Sequence, residues 1–262
     1  MQHGYKLLGS AQNDTVKRLA RLIQNGRDRR KEGVMVLEGI HLCESGLACG
    51  WVYEQVFVNQ HALAHPEVMT LLDRLPASTP VFVLEEGLFA RVSALSSAPE
   101  MLSVCLRPAA CESALTTACI MLEDIQDPGN MGTILRSAAA SGVNVVYLSP
   151  GCVDVYSPKV LRSGMGAHFA LEIHEHADLP ALLRAFPGVK LVTSLEGDRS
   201  LYAQDLSGQV AFVFGNEGAG VSAELHAIAD ARVRIPMPGK AESLNVAMAA
   251  TLCLFERVRQ LE

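Results

Sequence analysis

The chain has 262 residues, 49% hydrophobic and 19% charged, which excludes a disordered protein and leaves room for two domains of ordinary size. The N-terminal Met1-Gln2-His3-Gly4-Tyr5-Lys6 lacks the apolar core of a signal peptide, and no apolar run reaches the ~18 residues of a membrane span, so a cytoplasmic protein without a membrane partner is expected. Seven cysteines without a C-x-x-C pair argue against a disulfide framework and against a zinc site, and no other metal is expected.

Residues Asn13 to Asn25 are predicted as an amphipathic helix capped by Asn13 or Asp14, with Val16, Leu19, Ala20, Leu22 and Ile23 as its buried stripe. The net charge of −6 hides a local excess here: Lys17, Arg18, Arg21, Arg27, Arg29, Arg30 and Lys31 stand against Asp28 alone. Such a cluster is either a solvated face or a nucleic-acid contact surface, and the near absence of interleaved acids favours RNA or DNA. A strand at Val34–Leu37 follows Gly33, and Glu38-Gly39 leads into a helix that stops at Gly50. Strands at Val52–Val58, Pro80–Leu84 and Met101–Leu106, with a helix at Pro66–Leu75, complete an α/β module over residues 1–107. Residues 108–117 show no period and are expected to be a linker. Cys43, Cys49 and Cys253 fall in helical segments as expected buried thiols.

The second half, 118–262, opens with a strand at Ala118–Leu122, a polar turn from Glu123 to Gly132, a helix from Thr133 to Ser141 and a strand from Val143 to Leu148. This is a βαβ unit and implies a parallel sheet. Asn130 is by itself a capping or turn residue and Arg136 a surface charge. Both lie near the mouth of the turn if the arginine reaches back along its helix. A short basic helix and turn, Pro158 to Gly166, adds Lys159 and Arg162 as candidate RNA contacts. A strand at His168–His174, a helix at Leu179–Phe186 and a strand at Val189–Leu195 follow.

The strand Val210–Phe214 then runs straight into Gly215-Asn216-Glu217-Gly218-Ala219-Gly220, and a helix begins at Ser222. A further strand, Arg232–Ile235, ends in Pro236-Met237-Pro238-Gly239, and Glu242-Ser243-Leu244-Asn245 opens a helix continuing to Phe255. The glycines could simply join strand to helix. A dinucleotide fingerprint fits Gly218 to Ala223 but fails on context, because the next strand ends Ile235-Pro236-Met237 without the acidic residue that would take the ribose. The remaining reading is a nucleoside ligand held mainly by main-chain groups of both turns.

Taken together, Asn130-x5-Arg136, Phe214-Gly215-Asn216-Glu217-Gly218-x-Gly220, and Ile235-Pro236-Met237 followed by Glu242-Ser243-Leu244-Asn245-Val246 resemble the three ordered motifs of the SpoU (TrmH) family of RNA ribose 2′-O-methyltransferases, in the SPOUT superfamily. The basic N-terminal half with Val36-Leu37-Glu38-Gly39 is similar to a substrate-binding domain of the ribosomal-protein L30e type. One helix departs from the family pattern: Arg-x-Ser-x-Gly has Gly164 in place of the serine. The resemblance implies an N-terminal L30e-like α/β domain and a C-terminal α/β-knot methyltransferase domain with a trefoil knot, forming a homodimer. It implies S-adenosyl-L-methionine as methyl donor, bound around Leu195, Gly215, Asn216, Gly218, Ile235, Met237, Ser243 and Leu244. It also implies a ribose 2′-hydroxyl of structured RNA, ribosomal before transfer RNA, as acceptor. Arg136 would activate that hydroxyl, working with a substrate phosphate because a guanidinium holds its proton so strongly. Asn130 would position the phosphate or ribose, Glu217 would orient Arg136 or another cation, and Ser243 with Asn245 would hold the last turn. The competing readings are a tRNA ribose methyltransferase, a base methyltransferase of the wider superfamily and a non-catalytic RNA-binding protein on the same fold.

Overall fold

The computed structural model describes residues 4–93, 99–108 and 118–262. The chain divides into two compact units, one of Met1–Ala109 with Tyr156–Phe169, the other of Ala110–Val155 with Ala170–Glu262. Apart from Pro108, the linker expected at 108–117 lies outside the described residues.

In the first unit β1 (Tyr5–Leu8), β2 (Val34–Glu38), β3 (Tyr53–Asn59), β4 (Val81–Leu84) and β5 (Met101–Leu106) form one sheet in the order β1-β4-β3-β5-β2. β1, β4 and β3 are parallel, and β5 runs antiparallel between β3 and β2. β2 is buried throughout and reads as a continuous apolar run, whereas β1 exposes Lys6 and Leu7 and is too short to show a period. The helix expected over Asn13–Asn25 is found as Asp14–Gln24, and a second helix that was not expected, Gly26–Glu32, follows it. Asn25 leaves the helical region at φ −122°, ψ 109°, and its side chain accepts the Arg27 N–H to cap the second helix. Leu19 and Leu22 join Phe57, Phe89 and Leu102 in one buried cluster, each such side chain stabilising the fold by about 1.5–3 kcal/mol. Of the cysteines named above, Cys43 and Cys253 are buried, while Cys49 is exposed.

The segment Tyr156–Phe169 comes from the later part of the sequence yet belongs to this unit. Arg107 stacks over the Tyr156 ring at 4.0 Å, Phe169 meets Trp51 edge to face at 4.9 Å, and Arg162 Nη1 reaches the buried Glu38 carboxylate at 3.4 Å. The strand expected over His168–His174 is split accordingly. Ala167–Phe169 is a single 3-10 turn of the first unit, and only Glu172–His174 is strand.

In the second unit β6 (Cys119–Leu122), β7 (Val145–Leu148), β8 (Glu172–His174), β9 (Val189–Thr193), β10 (Arg199–Ser200), β11 (Val210–Phe214) and β12 (Ala231–Arg234) form the expected parallel sheet, ordered β10-β12-β9-β11-β6-β7-β8. Central β6 and β11 are wholly buried, and Met121 and Val213 lie with Leu183 and Leu225 from the helices Leu179–Ala185 and Ala223–Ile228. The C-terminal helix Val246–Leu261 lies against the helix Pro128–Ala140, with Ser137 Oγ and Thr251 Oγ1 2.7 Å apart. Near its end Gln260 accepts the Leu206 N–H at 2.8 Å and donates to the Gln204 carbonyl at 3.0 Å. Because every strand runs the same way, all the C-terminal strand ends meet at one edge of the sheet, where an open α/β fold places its ligands.

Candidate active site

The turn after β6 is set by its helix. That helix starts at Pro128, five residues before the expected Thr133, because Asp127 accepts the Asn130 N–H at 2.8 Å and Pro128 takes the first helical position. Asn130 therefore sits in the first helical turn, and its side chain is left for contacts across the site.

The turn after β11 closes on itself. Asn216 and Gly220 exchange main-chain hydrogen bonds of 3.0 and 2.9 Å, Gly220 adopts φ +72°, and a Cβ on Gly215 would run into the Gly220 backbone. Asn216 Oδ1 accepts the Gly218 and Ala219 N–H groups, both at 2.9 Å, and its Nδ2 donates to the Asp124 carbonyl at 2.8 Å.

Glu217 joins the three turns. Its carboxylate accepts the Gln126 N–H at 3.1 Å, the Asp127 N–H at 3.0 Å and Asn130 Nδ2 at 3.0 Å. Asn130 Oδ1 accepts Asn245 Nδ2 at 2.8 Å, and Asn245 Oδ1 caps the C-terminal helix through the N–H groups of Ala247 and Met248. Partial burial acts to raise the Glu217 pKa, but the hydrogen bonds from Asn130 and the main-chain N–H groups outweigh it and hold the carboxylate below its usual range. The expectation that Glu217 orients Arg136 or another cation is corrected: among the described residues its side chain accepts from two main-chain N–H groups and the Asn130 amide. Arg136 lies on the exposed side of the same helix, outside this relay, with no hydrogen bond or ion pair among the described residues.

Between the ends of β9, β11 and β12 lies a cavity of about 520 Å³, and Leu195, Gly215, Asn216, Gly218, Ile235, Met237, Ser243 and Leu244 all line it. Its volume is within the about 300–1,000 Å³ usual for small-molecule sites. Its walls combine the main chain of the glycine turn with apolar side chains from the other two, a lining suited to an adenosine-bearing ligand. Among the described residues no cluster of three His, Cys, Asp or Glu is placed to hold a metal ion.

The basic cluster of the first unit is smaller than its composition implies. Arg29 is buried, and its Nη1 donates to the Leu22 and Ile23 carbonyls at 2.6 and 3.0 Å. Arg18 is paired with Glu32 at 2.7 Å and Glu54 at 3.1 Å, and Arg21 with Glu32 at 3.7 Å. Arg162 is turned to Glu38. Arg29 is therefore corrected from an RNA contact to an internal role, while Arg18, Arg21 and Arg162 are paired with acids. The acids that neutralise them stand outside the 17–31 window, at Glu32, Glu54 and Glu38. Lys17, Arg27, Arg30, Lys31 and Lys159 are exposed and unpaired among the described residues.

Residues 117–255 match the SpoU rRNA Methylase family, and residues 13–103 the MRM3-like substrate binding domain. The chain belongs to the SpoU rRNA methylase family. A Synechocystis relative described as an uncharacterized tRNA/rRNA methyltransferase is 35% identical over 257 residues, 96% of this chain and 93% of the relative. The Bacillus subtilis 23S rRNA (guanosine(2553)-2'-O)-methyltransferase RlmP is 31% identical over 255 residues, 95% of this chain and 98% of the relative. An AdoMet-bound rRNA methyltransferase from Sinorhizobium meliloti superposes with a TM-score of 0.85 at 28% identity, covering 100% of both chains. In this SpoU chain the motif residues were legible beforehand, but Glu123, Asp124, Gln126, Asp127 and Ser149 were not, although all five hold the turns together. Only Asp127 carried a local signal, the Asp-Pro pair of a helix start.

Proposed function

We propose that this protein is an S-adenosyl-L-methionine-dependent RNA methyltransferase that methylates a ribose 2′-hydroxyl of ribosomal RNA. The observation that carries the reading is the Glu217–Asn130–Asn245 relay, which ties the helix bearing Arg136 to the two turns that wall the cavity. Bound there, S-adenosylmethionine supplies a methyl group made electrophilic by a sulfonium. Leu195, Ile235, Met237 and Leu244 would hold the adenine, and the main chain of Gly215, Asn216 and Gly218 the ribose, with Ser243 at the wall of the last turn. With its carboxylate committed to three donors, Glu217 keeps the turns in register and is not available as a base. Arg136 acts by holding the acceptor through a phosphate, which aligns the hydroxyl.

The same reading assigns 1–107 to substrate binding, 108–117 to a linker and 118–262 to catalysis with a trefoil knot. It places the protein in the cytoplasm, where ribosomal RNA and reduced thiols coincide. It also includes a homodimer, supported by an exposed apolar stripe of Met248, Leu252 and Phe255 at helical spacing on the C-terminal helix. The test is transfer of labelled methyl to ribosomal and transfer RNA, followed by nuclease digestion to identify the modified nucleoside. A 2′-O-methylnucleoside from ribosomal RNA is expected, whereas a methylated base or label confined to transfer RNA would replace the reading. Arg136→Ala should lower kcat by about 100-fold or more with donor Kd within a few-fold, and Lys should rescue only in part, lacking the planar fork. Equal loss of donor binding would make Arg136 structural.

A further inference from the structure

We infer that Asp124, Ser149 and Gly151 form a brace that positions the acceptor side of the active site, with Asp124 and Ser149 as positioning residues for methyl transfer. The inference rests on the methyl-transfer reading above. β6 and β7 are parallel neighbours with Leu122 opposite Leu148, so the segments that follow them leave the sheet side by side. Asp124 takes a left-handed backbone, φ 53°, an uncommon conformation that aspartate and asparagine tolerate best among non-glycine residues. Its N–H donates to Ser149 Oγ at 2.9 Å, and that hydroxyl donates back to Asp124 Oδ1 at 2.5 Å. Gly151 completes the fit, since a Cβ there would run into Asp124 Oδ1, and Gln126 Nε2 donates to the Gly151 carbonyl.

Opposite the brace, the same segment meets the glycine turn. The Asp124 carbonyl accepts Asn216 Nδ2, Glu123 accepts the Ser222 N–H at 2.7 Å, and the N–H groups of Gln126 and Asp127 supply two of the three donors to Glu217. If the brace loosens, Glu217 loses those partners and the helix start carrying Asn130 is no longer held against the donor cavity. Arg136 rides on the same helix, so the acceptor would be presented out of line at some cost in rate but little in affinity. Asp124 makes this contribution through shape and hydrogen bonding, not by taking a proton.

The experiment measures kcat, RNA KM, donor Kd and amide hydrogen exchange for the full chain and for Ser149→Ala, Gly151→Ala, Asp124→Ala and Asp124→Asn. Ser149→Ala and Gly151→Ala should lower kcat about ten-fold or more with donor Kd and RNA KM within about two-fold. In Ser149→Ala the Gln126 and Asp127 amides should exchange faster while those of β6 and β11 do not change. Asp124→Asn should keep activity within about three-fold, because asparagine tolerates the left-handed backbone and retains an accepting oxygen, and Asp124→Ala should not. Wild-type kcat in both Ser149→Ala and Gly151→Ala would overturn the brace. So would an Asp124→Asn variant as inactive as Asp124→Ala, which would make the carboxylate itself chemical, or a loss of protection spread over the whole unit, which would make the role purely structural. Failure of the underlying reading looks different, since the wild type would then transfer no methyl to any RNA.

Discussion

Arg29 stands in a run of basic residues, yet its guanidinium closes the end of the first helix by donating to the Leu22 and Ile23 carbonyls. Replacing it leaves two buried acceptors without a charged donor. Hydrogen bonds to a charged group are worth about 1.5–3 kcal/mol, so Arg29→Ala should lower unfolding stability by roughly that amount in a denaturant titration. RNA affinity of the folded variant should stay near wild type, and a selective loss of RNA binding at unchanged stability would return Arg29 to the contact surface. At this scale the sequence names residues but not their partners. Asn130, Glu217 and Asn245 were legible as motif members, whereas the bonds among them span 87 and 115 residues and depend on which strand ends the fold brings together. The pairing of Arg18 with Glu54, across 36 residues, was hidden for the same reason.

Among the elements, the C-terminal helix is fastened by its last turns. Arg259 donates to both oxygens of Glu256 at 2.8 and 2.7 Å, and Gln260 adds a third bond at 2.8 Å. Hydrogen bonds from Arg259 first, then Gln260, bring the Glu256 pKa from the ordinary 4.5 to about 2. A carboxylate depressed in this way stabilises the fold fully above its unfolded pKa and loses that contribution as the pH falls towards the folded value. Stability should therefore decline between pH 4.5 and about 2 more steeply in the wild type than in Glu256→Gln, as measured by thermal unfolding across that range. Identical pH profiles would show that the group adds nothing. Elements with strong local signals were readable: β5 and β11 have the predicted bounds. The start of the helix Pro128–Ala140 was misplaced because Gly129, Asn130 and Gly132 look like a turn, and only the Asp127 cap and Pro128 decide otherwise. The second basic helix, Gly26–Glu32, has no apolar stripe to betray it, since the buried side of that helix is an arginine.

For the molecule as a whole, RNA affinity should draw on the charge that the basic cluster leaves unpaired among the described residues, at Lys17, Arg27, Arg30 and Lys31. Changing these four together to alanine should weaken binding of a ribosomal RNA fragment and flatten its dependence on salt by about three to four contacts' worth. Donor affinity should not move, and parallel slopes in an anisotropy titration would show only a solvated face. The apolar stripe on the C-terminal helix makes a separate demand. Phe255→Asp should convert a sedimenting species of twice the chain mass into one of single mass, and a wild type that sediments as a single chain would remove the dimer. The α/β class and the parallel sheet were readable because strand, turn and helix signals alternate along the chain. The membership of Tyr156–Phe169 was not, because Arg162, Phe169 and Tyr156 find their partners at Glu38, Trp51 and Arg107, more than forty-five residues away in each case.

That borrowed segment bears on how such proteins can be recombined. A substrate-binding unit exchanged between relatives with a single crossover in the linker would arrive without the aromatic cover of Trp51 and the cation beside Glu38, and would leave both behind on the other parent. A faithful exchange needs three crossovers, near positions 109, 156 and 169. Chimaeras built with three should express and fold where those built with one aggregate, and natural hybrids should be rarer than a simple two-module arrangement would allow.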